Sequence, residues 1–216
     1  MKKLQKVSTL PREKPGWGLE HSLWAQGYAR VAGIDEAGRG ALAGPVIAAA
    51  VLLPPGDYPF DDSKKLSPDV RAALAEEVKR CALAWAVGAA SAAEVDALNV
   101  LRATHLAAQR ALSSLPPLDA LVTDYLKLAF PGPVAAPPRA DATSVQVAAA
   151  SIVAKTTRDR LMIELHQRDP RYGFASHKGY GAPVHLRALA EHGPSAEHRL
   201  TFSPVARVVA AADVLF

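Results

Sequence analysis

The sequence has little material for covalent cross-links or for insertion into a membrane. It contains one cysteine, Cys81, so no disulfide can form within the 216 residues. No stretch of about eighteen consecutive apolar residues is present, so we expect no membrane-spanning helix. The basic residues at the start are not followed by an apolar segment, so we expect no secretory signal. Together these absences predict a cytoplasmic protein with a reduced thiol.

The composition favours a packed core and a weakly basic surface. Half of the residues are apolar (50%), and 25 Lys and Arg outnumber 21 Asp and Glu, for a formal net charge of +4. A basic excess favours a polyanionic partner, but many proteins that bind no nucleic acid are equally basic. Residues 1–18 are rich in charges, proline and glycine and predict a flexible tail. Residues 19–216 predict a single domain without internal repeats.

The hydrophobic pattern predicts an α/β protein with one central sheet. Apolar runs predict strands over 31–35, 45–53, 84–90 and 118–123, with a short edge strand near 134. The helical pattern predicts helices over 67–82, 100–113, 145–167, 183–192 and 204–214, and the capping-box pattern of Ser91 and Glu94 predicts the start of a further short helix. On the first of these helices we expect Val70, Leu74, Val78 and Cys81 to face the core, and on the second Leu101, His105, Ala108 and Leu112. Strands early in the chain and helices between and after them are typical of this class.

Two adjacent carboxylates, Asp35 and Glu36, follow directly on the first apolar run. An unpaired buried carboxylate is very costly, so something must neutralise them, and a divalent cation is the simplest candidate. The segment Gly38-Arg39-Gly40 comes next, and its glycines permit positive φ and a close approach of a ligand to the backbone. The pattern indicates a strand that delivers acids to a metal beside a backbone cradle.

Two further acids stand at the ends of apolar elements. Asp124 closes the strand predicted over 118–123, and Asp141 precedes the long buried helix. Four clustered acids would repel one another unless cations were bound, and ligands that are all oxygen favour Mg²⁺ or Mn²⁺ over zinc. Two such ions bridged by a substrate phosphate would activate water for in-line attack. The alternatives stay open at this point: Asp124 as a turn acid, and Asp141 as a helix cap.

Basic residues near these segments could contact phosphates: Lys64, Lys65, Lys155, Arg158, Lys178 and Arg199. For Lys155 the alternative is an ion pair with Asp159, four residues further on. For Lys64 and Lys65 the alternative is a solvated loop. Tyr180 lies between two glycines, where its ring would be available for stacking on a base or sugar.

Several segments, in order and spacing, resemble the type 2 ribonucleases H, the ribonuclease HII family. They are GIDEAGRG at 33–40, DSKKLS at 62–67, AAASIVAK at 148–155, HKGY at 177–180, and HR with FSPV at 198–205. The resemblance covers roughly residues 20–208. It departs from the family pattern at Ala41, where proline is usual, and at Tyr125 and Ala140, where glycine is usual.

The resemblance implies a ribonuclease H-like fold, with a central mixed sheet flanked by helices and a C-terminal helical extension. It implies cleavage of RNA in RNA/DNA hybrids, and of single ribonucleotides in duplex DNA, to 5′-phosphate and 3′-hydroxyl ends. The cofactor would be two Mn²⁺ or Mg²⁺ ions with substrate bound, and the protein a monomer. Carried over onto this sequence, the catalytic and metal-binding acids are Asp35, Glu36, Asp124 and Asp141. The substrate-binding residues would be Gly38, Arg39, Gly40, Lys64, Lys155, Lys178 and Tyr180.

Within that set the segment Gly38-Arg39-Gly40 matches the family's sensor of the ribose 2′-hydroxyl, and Tyr180 matches a tyrosine that stacks on the deoxyribose at the RNA–DNA junction. Three alternative functions fit the sequence less well. A ribonuclease HIII would add a sizeable N-terminal domain, which the roughly 30 residues before the first strand cannot supply. A hybrid-binding module without catalysis would gain nothing from acids facing phosphate. A metal-storage protein fits poorly with the basic loops.

Overall fold

A computed structural model describes residues 14–213, which form a five-stranded mixed sheet. The strands are β1 Val31–Ala37, β2 Val46–Leu52, β3 Ala84–Ala90, β4 Ala120–Thr123 and β5 Val134–Ala135, in the order β3-β2-β1-β4-β5. β1 to β3 are antiparallel, whereas β4 pairs parallel with both β1 and β5. The predicted α/β class and central mixed sheet are confirmed.

Helices cover both faces of this sheet. The α-helices are α1 Gly18–Trp24, α2 Pro68–Cys81, α3 Ala92–Leu98, α4 Val100–Leu112, α5 Val145–Arg168, α6 Phe174–His177, α7 Pro183–His192 and α8 Ser203–Asp213. Helices α2 and α5 pack on one face, and α4 packs on the other. β2 is buried on both sides, as its continuous apolar run predicted. Among the described residues, no helix is long and apolar enough to cross a membrane.

Side-chain caps set the starts of α2 and α3. The Ser67 hydroxyl accepts a hydrogen bond from the Val70 amide at 3.4 Å, with Pro68 at the first helical position of α2. Ser91 and Glu94 form the predicted capping box of α3. Local sequence therefore specifies where these helices begin.

The predicted core faces of α2 and α4 are partly wrong. Val70 is 49% exposed and Leu101 is 50% exposed. On α4 the residues against the sheet are small, including Ala103, Ala107 and Ala111, all fully buried. Alanines let a helix lie close to a sheet, so the side chains that pack here are not the largest apolar ones.

The last residues of the predicted flexible tail belong to the fold. The Gly16 amide donates to the Thr143 carbonyl at 3.0 Å, and the Gly16 carbonyl accepts from the Val145 amide at 3.0 Å. The indole of Trp17 donates to the Gly56 carbonyl at 2.7 Å. Gly16 thus lies against the start of α5, whereas residues 1–13 of the predicted tail fall outside the described residues.

Helix α5 and strand β1 approach so closely that a side chain at Gly33 would not fit. A Cβ added at Gly33 would lie 2.3 Å from the backbone carbonyl carbon of Gln146. The buried Gln146 side chain fixes the same contact, because its amide donates to the Val31 carbonyl at 2.6 Å and accepts from the Leu53 amide at 2.7 Å. This contact places the acid-bearing end of β1 beneath α5.

We expect Gly33→Ala to destabilise the protein by about 3 kcal/mol, the upper range for an overpacked core, because α5 must shift away from β1. Chemical denaturation measures the free energy of unfolding. Gly18→Ala is the matched control, since nothing lies within 4 Å of its added Cβ. Equal stability of the two variants would contradict the close approach.

Candidate active site

The acids predicted from the sequence lie at one edge of the sheet. On the parallel neighbours β1 and β4, Ile34 pairs with Thr123, and each is followed by an acid, Asp35 and Asp124. Because parallel strands run in the same direction, the two acids lie side by side, Asp35 within β1 and Asp124 directly after β4. Glu36 follows on β1, and Asp141 lies in the short 3₁₀ helix Ala140–Ala142 before α5.

Asp35 is almost completely removed from solvent, with 5% exposed. Burial raises its pKa well above the ordinary value, the Glu36 carboxylate raises it further, and the Ser151 hydroxyl opposes the shift by hydrogen bonding. The Ser151 hydroxyl in turn shares a hydrogen bond of 2.8 Å with the Ser63 hydroxyl. Without a bound cation, the protein therefore disfavours the ionised form of Asp35.

Glu36 has a hydrogen-bond partner for one of its two carboxylate oxygens. Its Oε1 accepts a hydrogen bond from Arg39 Nη1 at 3.1 Å, whereas its buried Oε2 has no hydrogen-bond partner among the described residues. Burial raises the pKa of Glu36, and the Arg39 guanidinium partly offsets this. A buried carboxylate oxygen without a partner is costly, so a bound cation would remove a real penalty here.

Asp124 and Asp141 are joined through the backbone between them. Asp124 Oδ1 accepts from the Ala140 amide at 3.0 Å, which fixes the loop that carries Asp141. Asp141 is 4% exposed, and its Oδ2 accepts from Lys64 Nζ at 3.2 Å. Desolvation lowers the pKa of Lys64, but the neighbouring Asp141 carboxylate outweighs it and the net pKa is raised. Lys64 thus neutralises Asp141 within the chain itself.

Two adjoining cavities divide the acids between them. A cavity of about 400 Å³ is lined by Asp35, Glu36 and Asp124, and one of about 430 Å³ by Asp124 and Asp141. Asp124 and Lys64 line both. Among the described residues, no three Asp, Glu, His or Cys side chains converge into a closed metal cage. The arrangement is an open cleft with acids along it.

The donor set of this cleft fits a hard divalent cation. The side chains offered are carboxylates and hydroxyls, which suit Mg²⁺ or Mn²⁺ and not zinc. The unpartnered Glu36 Oε2 and the solvent-poor Asp35 carboxylate are groups that such an ion would satisfy. The residues present therefore fit the predicted cofactor.

The predicted substrate-contacting turn and tyrosine face the acids. Gly38, Arg39, Gly40 and Tyr180 all line the cavity that holds Asp35 and Glu36. Gly38 has φ of +95°, a conformation that side chains rarely adopt, as the prediction of a flexible turn required. The Tyr180 ring is 38% exposed, so a face of it is accessible. In the sequence only the family resemblance links Tyr180 to this turn, and the fold brings the two together.

The basic residues separate into two groups. Lys64 and Lys155 line the acid cleft, and Lys155 makes the ion pair with Asp159 that was its alternative interpretation, at 2.7 Å. Lys178 lines a neighbouring cavity of about 660 Å³ together with Lys155, and its ammonium contacts the Ala175 carbonyl. Lys155 thus lines both the acid cleft and the neighbouring cavity.

For Arg158 and Arg199 the predicted phosphate contact is wrong. Both side chains are fully buried, with 0% exposed, and their guanidinium groups donate to backbone carbonyls. In the sequence an arginine near a basic motif suggests a phosphate contact at the surface. The neighbouring residues do not indicate that distant backbone segments will enclose it.

Sequence reasoning missed two serines that support Asp35. Ser63 and Ser151 are buried and hydrogen bonded to each other beneath the acids. A signal was available for Ser151, the one polar residue in the run Val147–Ala154, where a helix buried on all sides would otherwise be apolar. A buried hydroxyl at this position predicts a hydrogen bond to another buried polar group.

Solved structures define the class of protein. The ribonuclease H2 of Pyrococcus horikoshii OT3 is similar to this chain with a TM-score of 0.72 and 26% identity, over 85% of this chain and 98% of that one. Bst-RNase HIII in complex with Mn²⁺ is similar with a TM-score of 0.67 over 96% of this chain and 77% of that one, but at 18% identity this shows the fold alone. The chain has the ribonuclease H-like fold.

Sequence comparisons narrow the class to a family. The family model described as Ribonuclease HII matches residues 32–205. The Ribonuclease HII of Thermus thermophilus is 60% identical over 190 residues, which is 88% of this chain and 93% of that protein. The chain belongs to the ribonuclease HII family and is an endoribonuclease of the ribonuclease H class.

In EDTA at about pH 8, Asp35→Asn should raise the melting temperature, by about 2–4 °C for each kcal/mol gained. The folded-state pKa of Asp35 is raised, so this carboxyl costs stability as pH rises from its unfolded pKa through its folded pKa. Asparagine does not titrate, and the gain should shrink toward about pH 4. Thermal unfolding across pH measures both effects.

The control is Asp119→Asn, which should act in the opposite direction. Hydrogen bonds from the Arg30 amide and guanidinium lower the pKa of Asp119, so its ionised form stabilises the folded state above the unfolded pKa. A lower melting temperature for Asp35→Asn at about pH 8 would show instead that the protein alone stabilises the Asp35 carboxylate.

Proposed function

We propose that this chain hydrolyses the RNA strand of RNA/DNA hybrids and cleaves at single ribonucleotides embedded in duplex DNA. The reaction would follow a two-metal-ion mechanism and leave 5′-phosphate and 3′-hydroxyl ends. One observation carries the proposal: the buried pair Asp35 and Glu36 shares a cavity with Asp124, the Gly38–Gly40 turn and the Tyr180 ring. A single cleft thus contains ligands for cations, a backbone surface for a sugar and a ring for stacking.

Asp35, Glu36, Asp124 and Asp141 are the residues that would hold the cations. Two divalent ions, when bound, supply an activated water and stabilise charge on the attacking and leaving oxygens. The use of Mn²⁺ or Mg²⁺ is supported by the all-oxygen donor set and by the Mn²⁺ complex of the fold neighbour Bst-RNase HIII. Ser151 orients the Asp35 carboxyl, and Arg39 orients the Glu36 carboxyl.

Recognition of the nucleic acid is assigned to the walls of the cleft. The backbone of Gly38, Arg39 and Gly40 would contact the ribose 2′-hydroxyl, the group that separates RNA from DNA. The Tyr180 ring would stack on the neighbouring deoxyribose, and Lys64, Lys155 and Lys178 would contact phosphates. Lys64 also keeps Asp141 neutralised at 3.2 Å, so a phosphate arriving beside this pair meets less negative charge.

A hybrid-binding module without catalysis remains the weaker interpretation. Acids buried at the floor of a cleft repel phosphate, and a pure binder would place lysines there instead. The proposed partners are RNA/DNA hybrids and duplex DNA that contains ribonucleotides. The monomeric state and cytoplasmic location of the chain stay predictions.

Asp35→Asn should reduce cleavage of a duplex with one ribonucleotide by at least ~10³-fold, since metal-ion stabilisation is worth several kcal/mol. Affinity for the same duplex, measured by fluorescence anisotropy, should remain within about threefold because phosphate contacts dominate binding. The assay compares Mg²⁺, Mn²⁺ and EDTA, with Asp119→Asn as the surface control. Turnover retained by Asp35→Asn would reject the metal-site assignment.

Tyr180→Ala should slow cleavage at an isolated ribonucleotide by about 5- to 150-fold, the loss expected when one stacked ring is removed. Tyr180→Phe keeps the ring and should stay within about threefold of the wild type. Initial rates on a duplex with one ribonucleotide, alongside thermal unfolding of both variants, make the comparison. Unchanged kinetics for Tyr180→Ala would remove its role at the junction.

A further inference from the structure

Two arginines with completely buried side chains lie behind the cleft. Arg158 and Arg199 are each 0% exposed, and among the described residues neither guanidinium group hydrogen bonds to a carboxylate. Burial lowers the pKa of Arg199 to about 10, which leaves it charged at neutral pH. A buried charge without a counter-ion is a costly way to stabilise a fold, which points to a further role for these side chains in what they hold in place.

Arg199 fixes both ends of the segment that follows β1. Its Nη1 donates to the Arg39 carbonyl at 2.8 Å, while Nε and Nη2 donate to the Gly44 carbonyl at 3.1 and 2.8 Å. Its backbone amide donates to the Leu42 carbonyl at 2.8 Å. The Arg39 carbonyl belongs to the turn proposed to contact ribose, so one planar guanidinium sets the position of that turn.

Arg158 connects the same segment to the loop that carries Tyr180. Its guanidinium donates to the carbonyls of Ala43 at 3.0 Å, Pro45 at 3.0 Å and Lys178 at 2.8 Å. The Cζ atom lies 5.4 Å from the centre of the Tyr180 ring. A Cβ at Gly38 would lie 2.0 Å from Arg158 Nε, so the arginine also occupies the space beneath the turn.

We propose that Arg158 and Arg199 are positioning residues, which hold the Gly38–Gly40 turn and the Tyr180 ring at the spacing needed to read one ribonucleotide and its deoxyribonucleotide neighbour together. This inference rests on the proposed function and assigns its specificity to two side chains that do not touch substrate. Arginine is required because its planar group spans several carbonyls at once, whereas lysine offers a single ammonium.

The test is whether Arg199→Lys loses discrimination between RNA and DNA. Two duplexes that differ only in one ribonucleotide are bound to the wild type and the variant in EDTA, and the ratio of their affinities is the readout. The loss of hydrogen bonds from a charged group should lower this ratio at least about fivefold and kcat/KM at the ribonucleotide at least about tenfold. Affinity for the all-DNA duplex should stay within about threefold.

Two control variants separate positioning from general stability. Arg110→Lys changes an arginine that also donates to a backbone carbonyl, that of Ala89 at 2.6 Å, but pairs with Glu94 on a surface away from the cleft. It should leave the affinity ratio unchanged. Gly33→Ala should lower stability and reduce both affinities alike, again without changing the ratio.

Arg158→Lys provides the second measurement if Arg199→Lys does not fold, and circular dichroism checks the fold of each. A folded variant with the wild-type ratio, an equal loss for both duplexes, or failure of both variants to fold would each overturn the proposal in favour of a structural role. Absence of cleavage at the ribonucleotide by the wild type would contradict the proposed function, whereas equal binding of the two duplexes by a wild type that cleaves would overturn this inference alone.

Discussion

The burial of two adjacent carboxylates at the end of β1 is the constraint on which the rest of the structure depends. Asp35 can lie under α5 only because Gly33 lets the helix approach the strand. Ser151, presented by the same helix, is the polar partner that Asp35 needs. Desolvation then raises the pKa of both Asp35 and Glu36, so the chain maintains a site whose ionised form is unfavourable until a cation arrives.

Positive charge in the structure is arranged to complement these acids. Arg39 and Lys64 each neutralise one acid directly, whereas Arg158 and Arg199 lie behind the cleft and donate hydrogen bonds to backbone carbonyls. The first two reduce repulsion between the acids and an arriving phosphate. The hydrogen bonds of the two buried arginines hold the backbone segments that form the cleft walls. Arg39 and Lys64 therefore act on the charge of the site, whereas Arg158 and Arg199 act on its shape.

Much of the fold and of the acid site could be predicted where the pattern lies in residues that are neighbours in the sequence. Asp35 and Glu36 after an apolar run, the capping box at Ser91, and the small apolar run of α5 each required only neighbouring residues. The core faces of α2 and α4 were only partly predicted, and on α4 close packing against the sheet selects alanines over larger residues such as Leu101. The burial of Arg199 also escaped prediction, since its partners, Arg39 and Gly44, lie about 155–160 residues away in the chain.

The central claim is that burial raises the pKa of Asp35 and Glu36, and that a divalent cation bound between them would favour their ionised form. Titration calorimetry of Mn²⁺ into the protein near pH 6, in two buffers of different ionisation enthalpy, measures the protons released on binding. The raised pKa values predict net proton release, which declines as the pH rises and is reduced in Asp35→Asn. Binding of Mn²⁺ with no proton release, or with the same release in Asp35→Asn, would contradict the account.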